Sequence, residues 1–190
     1  MLSANRRLVG LAMGSALALG GTVAVPAATA APAGAPSACG HLLSNSYIYE
    51  RWSDLGGVNG MLGCPRTNVL TVKSANGTKL GKRQYFDSGN VTFSPRQGQE
   101  MVVAAWERNG YAYFNWGPTD PYHYDVFLVR YTSAADAGGA QVTLRGGTSG
   151  GMWVQKHTSG TYSFKVEGCD KGTFGLKCRQ GWTLSATTRN

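Results

Sequence analysis

Residues 161–167 read Thr161-Tyr162-Ser163-Phe164-Lys165-Val166-Glu167. Tyr162, Phe164 and Val166 alternate with Ser163, Lys165 and Glu167, which is the period of a strand with one buried and one wet face. Upstream, Val126-Phe127-Leu128-Val129-Arg130-Tyr131 places Phe127, Val129 and Tyr131 on a shared face. Tyr111-Ala112-Tyr113-Phe114-Asn115-Trp116 reads as a further strand, ended by Gly117-Pro118. Residues 141–144 and 152–156 are shorter strands around a Gly-rich turn, and 182–187 closes the set. Six or seven short strands in about 90 residues predict a β-sandwich over 100–190.

The stretch before it, 39–99, reads differently. Ile48, Trp52 and Leu55 fall at i, i+4 and i+7, one face of a short helix, and Gly56-Gly57 supplies its stop. Asn76-Gly77 marks a tight turn. Gln84-Tyr85-Phe86-Asp87 and Asn90-Val91-Thr92-Phe93 flank Ser88-Gly89 as the arms of a hairpin. The expected fold class is therefore mainly β: a small α+β module at 39–99 followed by an all-β sandwich at 100–190.

At the N-terminus, Arg6-Arg7, an apolar run over 8–19 and Ala28-Thr29-Ala30 have the three parts of an export signal, removed after Ala30. The arginine pair leaves both the general and the twin-arginine routes open. The apolar run is shorter than the roughly 20 residues a transmembrane helix needs, so no membrane span is expected. Residues 31–38 form a Pro/Ala/Gly linker. Loss of Arg6 and Arg7 from the 18 basic residues leaves 16 against 10 acids, a net charge of +6. No block of like charge concentrates it. Outside a cell, such a balance favours anionic wall polymer or acidic polysaccharide. No basic helix or nucleic-acid motif is present, so nucleic acid is not an expected partner.

Cys39, Cys64, Cys169 and Cys178 all follow the export signal, and an even count in an exported chain implies disulfides. Three pairings are possible; Cys39–Cys64 with Cys169–Cys178 fits the division into 39–99 and 100–190. No C-x-x-C pair exists and the spacing does not fit zinc. No phosphate-binding Gly loop or calcium loop occurs, and no metal or cofactor is expected.

Two resemblances follow. Ile48, Trp52, Leu55-Gly56-Gly57, Gly60, Leu62-Gly63-Cys64-Pro65, Tyr85-Phe86, Gly89, Val91 and Ser94-Pro95 stand in the order of the LGFP repeat of secreted, wall-associated proteins in Gram-positive bacteria. The resemblance spans about 47–97 and departs from the family twice. Cys64 replaces the phenylalanine of the namesake tetrapeptide, and one repeat stands where the family has several. It implies binding to, or anchoring in, the cell envelope. Trp116, residues 124–131 and 161–166, with Tyr162 as a corner tyrosine, resemble a fibronectin type III sandwich. The Cys169–Cys178 staple would then close the loop between its last two strands.

Sugar sites set aromatic faces against C–H surfaces with polar groups at the rim. Tyr47, Tyr49, Trp52 and Tyr85, beside Arg83 and Asp54, are the candidates, with Tyr47 and Tyr49 expected to be exposed. The plainer reading of Trp52 is that it fills the small core. Lys171, Lys177 and Arg179 make the stapled loop a candidate anion or protein contact.

Gly147-Thr148-Ser149-Gly150-Gly151 fits G-x-S-x-G, and is one residue from Gly-Asp-Ser-Gly-Gly. A nucleophile elbow needs a helix next, whereas Met152-Trp153-Val154 reads as a strand. His41, His123 and His157 have no catalytic context, and the chain after His123 is too short for a chymotrypsin-type double barrel with Asp125 or Asp136. Glu50 and Asp54, and Glu100, Glu107, Asp120 and Asp125, outline no cleft of the kind glycoside hydrolysis requires. The expected function is a secreted, non-enzymatic protein attached to wall polysaccharide or anionic wall polymer. A wall hydrolase, or a factor that binds a protein through its disulfide loop, is the alternative.

Overall fold

The computed structural model describes residues 39–41, 43–136 and 138–189. The expected export signal (1–30) and linker (31–38) lie outside the described residues. The first element among the described residues is helix α1 (Ser46–Asp54). Asn45 caps it by accepting from the Ile48 amide (3.0 Å), satisfying one of the orphan N–H groups of the first turn. Its end follows the sequence: Leu55 is the C-cap and Gly56 takes φ 94°, where a side chain would be strained.

Eleven strands follow: β1 (Leu70–Lys73), β2 (Lys79–Tyr85), β3 (Gly89–Phe93), β4 (Val102–Arg108), β5 (Tyr111–Gly117), β6 (Tyr124–Thr132), β7 (Ala140–Gly147), β8 (Gly150–Gln155), β9 (Ser163–Gly172), β10 (Gly175–Lys177) and β11 (Ala186–Thr187). They form two sheets of antiparallel pairs. One runs β1-β2-β3-β4-β5-β8 and the other β10-β9-β6-β7, with β11 paired to β9. The sheets face one another over a core of Met101, Val103, Ala105, Ala112, Phe114, Trp116, Phe127, Val129, Phe164 and Val166, among others. Phe114 stacks on Phe164 at 5.1 Å, and Trp116 meets Phe127 edge-on at 5.3 Å. The chain is thus mainly β, with sandwich-like sheets.

A second core lies on the outer face of the first sheet. Ile48 and Trp52 of α1, with Leu62, Phe86 and Val91, pack against Val102, Ala104 and Trp106 of β4. β4 is therefore buried on both faces: odd positions enter the sandwich and even positions meet α1. A run of Val, Val, Ala, Ala and Trp carries no alternation to announce a strand, so none is expected there from sequence. The boundary expected at 99/100 falls between β3 and β4, which pair from Gly89 opposite Trp106 to Phe93 opposite Val102. The two expected segments share one sheet and the outer core, while the buried residues of the sandwich core all come from 101–186.

Two further differences follow from tertiary packing. The Gly-rich turn does not join a hairpin, because β7 pairs with β6 while β8 pairs with β5. Residues 147–150 cross from one sheet to the other. Glycine permits the crossing: a Cβ on Gly150 would sit 2.3 Å from Trp116 Cζ2. Residues 182–187 hold only the short β11, yet their tail closes the sandwich. Arg83 donates to the Ser185 carbonyl (2.7 Å), Asn90 to Thr187 Oγ1, and Gly89 bridges to Thr188. Both disulfides are the local ones, Cys39–Cys64 and Cys169–Cys178. Disulfides are products of oxidising compartments. Among the described residues, no helix is long and apolar enough to cross a membrane.

Candidate functional site

The residues singled out in the sequence do not converge. Trp52 is 4% exposed, and its indole N–H donates to the Gly63 carbonyl (2.8 Å), so it is core and presents no face to a ligand. Tyr47 and Tyr49, expected to be exposed, are half-buried: Tyr47 stacks on Phe93 at 5.0 Å, and Tyr49 leans on Trp52 at 6.0 Å. A helix one face wide cannot keep its flanking rings in water when the sheet beneath is broader than the helix. Arg83 is committed to Thr92 Oγ1 (3.0 Å) and the tail at Ser185. Tyr85 is exposed and lines a cavity of about 350 Å³ with Arg66, Phe86 and Thr188. Lys171, Lys177 and Arg179 are exposed at the far end of the other sheet.

The structure assembles a different surface. On the outer face of β4, β5 and β8, Trp106 stands opposite Tyr113, and Tyr113 opposite Trp153. Three directly opposed residues on neighbouring strands make an aromatic ladder whose pitch is the strand spacing of about 4.8 Å. Trp106 and Tyr113 are stacked, centroids 5.5 Å apart and planes 5° from parallel. Tyr111 extends the row, edge-on to Trp153 at 5.2 Å. The ladder is graded: Trp106 lies under the edge of α1 at 7% exposure, Tyr111 and Tyr113 are half-buried, and Trp153 on the edge strand β8 is 61% exposed. Arg108 and Gln155, each directly opposite Tyr111 on its two neighbouring strands, give the row a polar rim.

The outward rings follow from alternation. Ala112, Phe114 and Trp116 belong to the sandwich core, which leaves Tyr111 and Tyr113 on the other face of β5. Met152 and Val154 pack on that core and turn Trp153 outward. That signal was present in the 111–116 and 152–156 stretches. What it lacked was the knowledge that β4, β5 and β8 are neighbours.

Ser149 is exposed on the sheet crossover and followed by strand β8, not by the helix of a nucleophile elbow. Among the described residues, Glu167, Cys169 and Cys178 bring ligand atoms within 4.8 Å of one another, but both sulfurs are joined in the disulfide. Burial raises the pKa of Glu167 against the pull of Arg130 and Lys165. Arg130 and Lys165, opposite one another on β6 and β9, both lie 5.0 Å from the Trp182 ring centroid. Tyr162 accepts a hydrogen bond at its hydroxyl from the His157 amide (2.8 Å), five residues upstream, as a corner tyrosine does.

Comparison with known proteins adds little to this geometry. No protein-family model and no curated protein sequence matches the chain. Among solved structures, a fibronectin type III domain of human collagen XX is similar at 16% identity and a TM-score of 0.33, over 45% of this chain and 85% of that domain.

Proposed function

We propose that this protein is a non-enzymatic, envelope-associated binding protein that attaches to wall polysaccharide through the open end of the aromatic ladder, Trp153 with Tyr111 and Tyr113, backed by the buried Trp106. The observation that carries the reading is the ladder itself: a row of rings on one sheet face, open at Trp153, with Tyr111 edge-on beside it and Arg108 and Gln155 at its rim. Rings so arranged offer apolar faces to sugar C–H surfaces, and the rim offers hydrogen bonds to hydroxyls. The likeness of residues 47–97 to the LGFP repeat and the export signal read in residues 1–30 point to the same location. The surplus of basic residues adds longer-range attraction to anionic wall polymer.

The test is co-sedimentation with purified, insoluble wall polysaccharide. Wild type is expected in the pellet, and Trp153→Ala in the supernatant with an unchanged circular dichroism spectrum. Wild type remaining in the supernatant at low salt overturns the reading. Release of soluble sugar by wild type would replace binding with hydrolysis.

A further inference from the structure

One element leaves the body of the sandwich. The pairing of β9 with β6 ends at Cys169 opposite Val126. Beyond it β9 continues with β10 alone, as a ribbon in which Asp170 faces Lys177, Lys171 faces Leu176 and Gly172 faces Gly175. Thr173 and Phe174 form its turn. The Cys169–Cys178 disulfide closes the base one step below the Asp170–Lys177 pair. The Lys171 amide donates to Asp125 Oδ2 (2.7 Å), tying the ribbon to the start of β6. The tip is thus held on a short, doubly fixed stalk.

What the stalk presents is Phe174, whose relative exposure is 101%, with Leu176 at 45% behind it. Lys171, Lys177 and Arg179 are all exposed around them, against the single acid Asp170 in the ribbon. Directly paired residues share a face and successive ones alternate. Lys171 therefore lies with Leu176 on one face of the ribbon, and Lys177 lies on the other. The cations stand on both sides of the apolar tip. A plane of anionic headgroups is met end-on, with positive charge on every side and the ring leading.

We propose that residues 169–178 are a docking tip for an anionic lipid bilayer. Phe174 enters the boundary between headgroups and acyl chains, Leu176 follows, and Lys171, Lys177 and Arg179 pair with lipid phosphates. The contact is shallow and reversible, since one ring and three cations fall well short of a stable anchor. This contact is independent of the polysaccharide reading and uses the opposite sheet.

The test uses residues 33–190, whose described residues form one compact unit, sedimented with vesicles of phosphatidylglycerol and phosphatidylcholine in equal parts or of phosphatidylcholine alone. Binding is expected to the mixed vesicles only. Phe174→Ala should weaken it about tenfold, and the double variant Lys171→Gln/Lys177→Gln at least as much, with the remainder lost at high salt. Phe174→Trp should keep binding and be quenched by brominated lipid beyond the wild-type level. Because Phe174 touches no core residue, these variants fold, and circular dichroism confirms it. The proposal is overturned by absence of binding to the mixed vesicles at low salt, by Phe174→Ala binding as wild type does, or by no added quenching in Phe174→Trp. Phe174-dependent capture of a soluble acidic protein without vesicle binding overturns it as well. Trp153→Ala should bind vesicles normally, so this proposal and the polysaccharide reading fail separately.

Discussion

Arg51 on α1 donates to the Gly117 carbonyl at the end of β5 (2.8 Å) and to Asn115 Oδ1 on the same strand (2.9 Å). The contact joins helix α1 to a strand that lies 66 positions further on and lines both cores. It makes the helix part of the sandwich.

Arg51→Ala is expected to destabilise the protein by about 2 kcal/mol, the usual worth of hydrogen bonds from a charged, partly buried donor. Arg51→Lys should rescue little, because an ammonium cannot reproduce the two-armed contact. Urea unfolding followed by far-ultraviolet circular dichroism and by tryptophan fluorescence should give a single coincident transition. Two resolved transitions would show that 39–99 and 100–190 are separate folding units after all.

The tryptophans divide by role. Trp52→Ala empties a core position and should cost about 3–5 kcal/mol of stability. Trp153→Ala should leave stability within about 0.5 kcal/mol of wild type while removing polysaccharide binding. Denaturation midpoints and wall co-sedimentation, measured on both variants, read the two roles separately. A destabilised Trp153→Ala, or a Trp52→Ala that folds normally, would reverse the assignment.

Glu167 gives the protein a pH dependence of known sign. Burial raises its folded-state pKa above the ordinary 4.5, more than Arg130 and Lys165 lower it. The folded state then holds a proton that the unfolded chain has released, so stability is greatest below the unfolded value and falls as pH rises through the folded one. Glu167→Gln should match wild type near pH 4 and be more stable at pH 7. Thermal midpoints across that range decide it, and a variant less stable than wild type at neutral pH would refute the sign.

At the alkaline end, burial chiefly, with the nearby Tyr122, Asp170 and Glu167, pushes the Tyr124 phenol up to about 12. Its hydroxyl donates to the Gln97 carbonyl (3.2 Å) inside the structure. The unfolded chain ionises this group near 10, so the folded protein loses stability between pH 10 and about 12. Tyr124→Phe should flatten that loss, at a cost of about 1 kcal/mol at neutral pH from the missing hydrogen bond. Ultraviolet difference titration should show one tyrosine fewer among those ionising with unfolding.

The sequence by itself determined the local structure wherever a period was clean. Tyr162, Phe164 and Val166 are buried as their alternation required, although Glu167, expected on the wet face, is buried as well, and the helix carrying Ile48 and Trp52 ends at the glycines that stop it. Periodicity reports which face of an element is apolar, and that is a property of the element alone. Which strands become neighbours is a non-local choice, settled by the packing of both cores together. β4 escaped notice because a strand buried on both faces has no alternation to show. The Gly-rich turn resembled a hairpin, although Trp116 and Gly150 route it between sheets. For the same reason three of the four rings chosen from sequence, Tyr47, Tyr49 and Trp52, lie on the helix, where packing consumed them. Trp106, Tyr113 and Trp153 became a surface only once tertiary structure set their three strands side by side.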